Sequence, residues 1–228
     1  MTDVNFKLTI DILKKNKIDY WVCHGTLLGI VRDRQLLAWD NDIDIGILEN
    51  KHSKQKVIPM FLEEGFEKKK KFFADDGLVT FVRAGGKEVD LNFYKFLTDG
   101  NNKSENILYV NWYVPKNHLM KLIFALSQAG TFTGKYKKVI NLFGYLKFFF
   151  DKFLNILIKK KLFYKRAGYQ HPYFFVKELK TIIFEGISIN IPCKKYEYLT
   201  FIYGETWKIP KKNFNWEKDS PATKVYKN

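Results

Sequence analysis

A chain of 228 residues with 46% hydrophobic and 17% aromatic side chains is long enough to bury a substantial core and too apolar to be disordered, so one domain, or a core with a subdomain, is expected. Its formal charge of +15, from 39 basic and 24 acidic residues, admits nucleic acid, anionic membrane or anionic substrate. Arginine is scarce, however, and the lysines are scattered or in short clusters such as 68–71 and 159–161, so a solvated basic surface is expected and nucleic acid is not. Cys23 and Cys193 offer no disulfide framework, and residues 1–7 lack the basic-then-apolar run of a secretory signal, which together point to a cytoplasmic protein.

In chain order, residues 4–16 pattern as a helix and 18–23 as an apolar strand. His24-Gly25-Thr26-Leu27-Leu28-Gly29 then turns into a helix over 26–36. Gly25 would let a phosphate approach the backbone, Thr26 brings a hydroxyl, and the helix N-terminus supplies free N–H groups. Alone, this is equally an ordinary capped helix. The next run, Trp39-Asp40-Asn41-Asp42-Ile43-Asp44-Ile45-Gly46, sets acids at alternate positions of a strand over 42–48. Residues two apart share a strand face, so Asp42 and Asp44 project together while Ile43, Ile45 and Ile47 pack behind them. Crowded carboxylates repel unless a cation joins them, and an all-oxygen donor set suits magnesium. A turn with solvated acids is the plainer alternative.

A helix is expected over 53–64. Asp75-Asp76-Gly77 then turns into a hairpin over 78–94 whose glycine turn is 84–87. Val89, Leu91 and Phe93 share one face of its second strand, and Glu88, Asp90, Asn92 and Tyr94 the other. Mid-strand Asp90 is the candidate third acid, Glu88 its competitor, and a solvated sheet face the plainer explanation. The polar, Asn-rich stretch 98–105 is expected to be a loop bounding the core. Beyond it come a strand (107–114), a helix (117–128), one long or two broken helices (138–163), a hairpin (181–191) around Glu185-Gly186, and a helix (194–203) stopped by Gly204. The 139–165 stretch is amphipathic, and lysines interrupt it well before the roughly 18 to 20 apolar residues of a membrane span. A core-packing helix is the first expectation, and shallow seating on an anionic membrane the second.

Gly25-Thr26-Leu27-Leu28-Gly29, Arg32 and the run 39–46 together resemble the signature of the LicD/fukutin-type phosphotransferases, a branch of the nucleotidyltransferase-fold superfamily. Ile191-Pro192, Tyr196-Glu197-Tyr198-Leu199 and Tyr203-Gly204-Glu205-Thr206-Trp207, ending in Pro210, are similar to that family's closing segment. The likeness covers roughly 18–94 and 180–210, and nothing in 100–170. It implies an α/β fold with a mixed sheet flanked by helices: a catalytic core over 1–98, and a mostly helical part over 106–228 that contacts the acceptor. The implied reaction moves a phosphoalcohol, such as phosphocholine or phosphoribitol, from a CDP-activated donor to a hydroxyl of a cell-surface glycan or its lipid-linked precursor, releasing CMP. Carried over by position, Asp42, Asp44 and Asp90 would be the catalytic and Mg2+-holding acids, with Mn2+ fitting the same set. Gly25 and Thr26 would touch phosphate and Arg32 counter its charge, although an ion pair with Asp33 serves Arg32 equally. His24 and Asp40 join the substrate-binding residues, while for His24 and Cys23 a packed, hydrogen-bonded role is the plainer one. Trp39 and Tyr20 could stack on a base but suit a core as well. Two rivals remain at this point: transfer of NMP from an NTP to a protein, tRNA or small molecule, and a non-catalytic basic module for anionic polysaccharide or membrane. The setting implied is cytoplasmic, including the inner face of the membrane.

Overall fold

The structure, a computed structural model, describes residues 3–69, 77–99, 102–130, 132, 136–160, 162–211 and 213–226. It divides into two compact units, Met1–Trp112 with Gly168–Lys224, and Tyr113–Ala167 with Val225–Asn228. The first unit thus draws on both ends of the chain.

Helix α1 (Val4–Lys15) begins at Asp3, whose carboxylate accepts the N–H groups of Asn5 and Phe6, the usual capping arrangement. The same carboxylate accepts the Lys87 N–H at 3.0 Å, and the Asn5 amide donates to the carbonyls of Arg83 and Lys87. The start of α1 is thereby fastened to a hairpin turn some eighty residues away. Strand β1 (Tyr20–Val22) leads into helix α2 (His24–Leu28), which widens into a π-type turn, Gly29–Asp33. Left-handed Arg34 (φ 55°) follows it. The helix expected over 26–36 therefore starts two residues earlier and closes sooner.

Strand β2 (Asp42–Leu48) is followed by α3 (Lys54–Glu63), β3 (Glu67–Lys69), β4 (Leu78–Val82) and β5 (Glu88–Asp99). The expected turn residues Asp75 and Asp76 lie outside the described residues. β5 lies between β2, which it pairs in parallel, and β4, which it pairs antiparallel. A parallel neighbour needs a crossover, and the α3–β4 stretch supplies it. Ile43, Ile45, Ile47, Val89, Leu91 and Phe93 are fully buried on the inner face, so the alternation anticipated for both strands holds.

Of the stretch expected as a loop at 98–105, the described residues belong instead to strands: β5 runs to Asp99 and β6 (Asn102–Pro115) begins three residues later. Thr98 pairs with Lys103 and Asp99 with Asn102. Ladder hydrogen bonds satisfy a polar backbone whatever its side chains, and here they override the local preference for a turn. After α4 (His118–Ser127), α5 (Lys137–Leu142) and α6 (Lys147–Lys159) come β7 (Tyr164–Pro172), β8 (Leu179–Phe184), β9 (Ile187–Pro192), α7 (Lys195–Tyr203), α8 (Trp216–Asp219) and β10 (Thr223–Tyr226). The large sheet runs β1-β2-β5-β6-β7-β10, with β4 beside β5 and β3 beside β4. It is a mixed sheet flanked by helices, the α/β class anticipated. β3, β7, α8 and β10 have no counterpart in the sequence reading.

The β8–β9 hairpin turns at Glu185 (φ 48°) and Gly186 (φ 79°), the left-handed pair a tight hairpin requires. It returns to the N-terminus, where Phe184 meets Phe6 edge-on at 5.7 Å. In the second unit, Ala125, Ala129 and Ile140 form a small cluster, and α6 packs on α4 with Leu154 buried and Phe150, Leu157 and Ile158 half-buried. Of the stretch 139–165, Ile140, Leu154 and Phe163 are buried while most other apolar side chains of α6 are exposed. No helix among the described residues is long and apolar enough to cross a membrane.

Candidate active site

Parallel register places Asp44 opposite Asp90 and Asp42 opposite Glu88, so the carboxylates anticipated from two separate motifs share one sheet face. Asp40, Asp42 and Asp44 each present a carboxylate oxygen within 4.8 Å of the other two. This close trio differs from the expected Asp42–Asp44–Asp90. Asp90, 5% exposed, accepts the Thr80 hydroxyl at 2.6 Å and stands beside the trio on the neighbouring strand. Glu88, its competitor, pairs with Lys69.

Two details hold Asp40 inward. The Lys87 ammonium donates to the carbonyls of Asp40 and Leu37, tying the segment before β2 to the β4–β5 turn. Gly25 leaves the space: a Cβ there would lie 2.1 Å from Asp40 Oδ2. Gly25 also donates its N–H to Asp44 Oδ2 at 3.1 Å, while the Thr26 hydroxyl accepts the Asp44 N–H at 2.8 Å. The Gly25-Thr26 pair anticipated as a phosphate cradle thus braces β2 and its acids directly.

The crowding registers electrostatically. Burial, together with a hydrogen bond to Asp42 and its negative charge, raises the Asp40 pKa to about 7 against the opposing pull of Lys87. One of these acids is therefore partly protonated at neutral pH unless a cation joins the group. Their oxygens fit such a cation: hard carboxylate donors converging from one strand and the turn before it suit Mg2+ or Mn2+, with places left for substrate oxygen and water.

His24 is packed: its Nε2 is 2.8 Å from the Tyr94 hydroxyl, and Tyr169 stacks on it at 4.3 Å. Burial and the neighbouring His171 lower its pKa to about 3, so it lines the site as a neutral ring. Burial likewise pushes the Cys23 thiol well up, which argues against a nucleophilic role. Arg32 is engaged by Asp33 through two bonds of 2.7 and 2.8 Å, the ion pair weighed earlier. It still borders the cavity, donating to the Trp207 carbonyl at 3.3 Å and lying 5.9 Å above the Trp39 ring. Tyr20 is a core residue, whereas Trp39 is exposed on the cavity wall.

The acids, His24, Gly25, Arg32 and Trp39 line one cavity of about 540 Å³. Its far wall is aromatic and comes largely from the closing stretch of the chain: Tyr203, Trp207, Phe214 and Trp216, with Lys211 among them. The wall is fastened in place. Trp207 Nε1 donates to the Thr200 hydroxyl at 3.1 Å, and Lys211 pairs with Asp219 at 2.9 Å. These residues fall in the part expected to contact the acceptor, but the sequence singles out only Tyr203 and Trp207, within a motif in which nothing shows which cavity it faces.

Residues 17–132 match the family described as LicD/FKTN/FKRP, nucleotidyltransferase domain. Human ribitol-5-phosphate transferase FKTN is 23% identical over 215 residues, covering 94% of this chain but only 35% of its own length. The chain thus spans about a third of the fukutins. The lipopolysaccharide cholinephosphotransferase LicD of Haemophilus influenzae is 22% identical, covering 87% of this chain and 86% of its own. Among solved structures, the lincomycin-bound lincosamide adenylyltransferase LnuA aligns with a TM-score of 0.44 at 12% identity, over 87% of this chain and 85% of that one. The match spans over half of the chain and takes in all four aspartates of the site, and on that ground the chain belongs to the LicD/FKTN/FKRP family.

Proposed function

We propose that the protein transfers a phosphoalcohol group from a CDP-activated donor to a hydroxyl of a cell-surface glycan or its lipid-linked precursor, releasing CMP, with Mg2+ held by Asp40, Asp42 and Asp44. The observation that carries this reading is the trio itself: three carboxylates within 4.8 Å, beside a fourth, opening on one cavity in a member of this family. The names of the fukutin and LicD relatives, ribitol-5-phosphate transferase and cholinephosphotransferase, supply the reaction class.

Phosphoryl transfer asks a protein mainly for positioning and charge neutralisation. A bound divalent ion would supply neutralisation of the diphosphate and of the departing CMP oxygen. The chain's own groups do the rest. Asp42 and Asp44 are fixed by the strand, and Asp40 by Lys87 and the gap at Gly25. Asp90, held by Thr80 on the strand beside the trio, would orient an acceptor hydroxyl and take its proton, whereas Asp219, which also lines the cavity, is paired with Lys211. The aromatic wall excludes water and offers ring faces to a base or sugar, so we assign acceptor and base contacts to 203–216 within the C-terminal part.

Incubation with CDP-choline and with CDP-ribitol, each with Mg2+ and a glycan acceptor, tests the assignment. CMP should appear without pyrophosphate, in step with phosphoalcohol on the glycan. Pyrophosphate released from an NTP, with NMP on the acceptor, would replace this reading by nucleotidyl transfer, for which the same acids suffice.

A further inference from the structure

The second unit carries a surface that its own packing does not use. Tyr145, Phe148, Phe149, Phe153 and Ile156 are 78, 71, 64, 40 and 51% exposed. They recur at three- and four-residue steps, which sets Phe148, Phe149, Phe153 and Ile156 along one side of α6, with Tyr145 in the turn that leads into it; Leu154, buried, marks the other side. Leu142, in the preceding helix, adds a further exposed aliphatic chain. The rings are ordered: Phe149 and Phe153 lie nearly parallel, 9° apart with centroids at 6.5 Å, and the Lys152 ammonium sits 4.4 Å over the Phe148 ring. Isolated exposed apolar residues need no explanation, but a contiguous stripe of this kind marks an interaction site.

Charge identifies the partner. Lys137, Lys138, Lys147, Lys152, Lys159 and Lys160 are all exposed around the stripe, and Asp151 is the one acid between Lys135 and Arg166. Two copies of so basic a face would repel each other, and a nucleic acid gains nothing from Leu142 or Ile156. With 13 residues, α6 is about 20 Å long, too short to span a bilayer. Its composition is that of a helix lying in the interface, aromatic and aliphatic groups among the acyl chains and lysines at the headgroups.

We propose that this face seats the protein on an anionic lipid surface. The inference stands apart from the catalytic reading, because it draws only on the second unit.

Flotation of the full chain with vesicles of phosphatidylcholine alone, or of phosphatidylcholine with phosphatidylglycerol, tests it. The anionic vesicles should carry at least about tenfold more protein. Reversing Lys147 and Lys152 to Glu should lower that binding by about fivefold per lysine, and Phe148→Ser with Phe149→Ser should lower it by about tenfold or more. Both variants change exposed side chains, so an unaltered melting temperature and circular dichroism would show them folded. Equal flotation on both vesicles, none on either, or wild-type flotation of both folded variants would overturn the proposal. So would self-association, or binding to a single-stranded oligonucleotide, that is lost in the Phe variants while vesicles are ignored.

Discussion

The acidic turn and strand at 40–44 and the aromatic helix at 145–156 break opposite rules of folding. The first crowds like charges into a half-buried cavity; the second leaves large apolar rings in water. Neither arrangement stabilises the chain that carries it, whereas the neighbouring segments obey the rules: Ile43 and Ile45 are fully buried behind the acids, and Leu154 is buried behind the rings. Local departures of this kind, set in otherwise consistent structure, mark positions where something other than the protein completes the interaction. On the two proposals made above, the partner at the acids is a cation with its phosphates, and at the helix it is an anionic lipid surface.

The sharpest way to break the comparison is to remove one acid. Asp42→Asn should lower transferase activity by about a thousandfold, the scale of losing metal-centred charge stabilisation. Because it also removes the group that repels Asp40, the melting temperature without metal should hold or rise. A variant that loses stability along with activity would show the acids to be structural.

Gly25→Ala is gentler. Its Cβ would displace the Asp40 carboxylate, now 2.1 Å from that position, and metal affinity read by titration calorimetry should fall by about tenfold with the fold retained. Unchanged affinity would take Asp40 out of the ligand set.

The pH dependence follows from the raised pKa of Asp40, which moves from the ordinary carboxylate range to about 7 on folding. Between those values the folded state holds the extra proton, so this group's contribution to stability declines as pH rises through the window. Metal needs the ionised form, so the thermal shift produced by Mg2+ should be larger near pH 8 than near pH 5. His24 and His171, lowered to about 3 and 4 by burial, act the other way. Both are neutral when folded, and the stability they confer is lost as pH falls from about 6.5 through those values. Metal-free protein should therefore be most stable near neutrality. Asp40→Asn should remove its opposing contribution between about pH 4 and 7, so that metal-free stability climbs more steeply with pH across that window; an unchanged slope would have another source.

The smallest effect sharpens the other half of the comparison. Phe149→Ala should change stability by less than about 0.5 kcal/mol, while Leu154→Ala, five residues on, should cost about 2 to 5 kcal/mol. Chemical denaturation of both variants would show whether the rings contribute to the fold at all.

Much of this was legible in advance, and the reasons are local. Strand periodicity put Asp42, Asp44 and Asp90 on shared faces, because in a strand every second side chain points the same way. The hairpins at 84–87 and 185–186 were visible because only a few residues tolerate their backbone. The convergence of Asp40 on Asp42 and Asp44 is not legible locally, since what turns it toward them is a lysine 47 residues away and a missing Cβ at Gly25. The polar stretch at 98–105 passed for a loop because its pairing partners, not its side chains, make it a strand.

Taken alone, the amino-acid sequence determined the family signature, the alternation of the catalytic strands and the amphipathic character of 139–165, since each depends on residues within a few positions of one another. Only the tertiary structure decided which three carboxylates converge, that the closing stretch of the chain walls the same cavity, and that the aromatic side of α6 faces outward. Those outcomes depend on contacts between residues far apart in sequence, whose geometry no local spacing encodes.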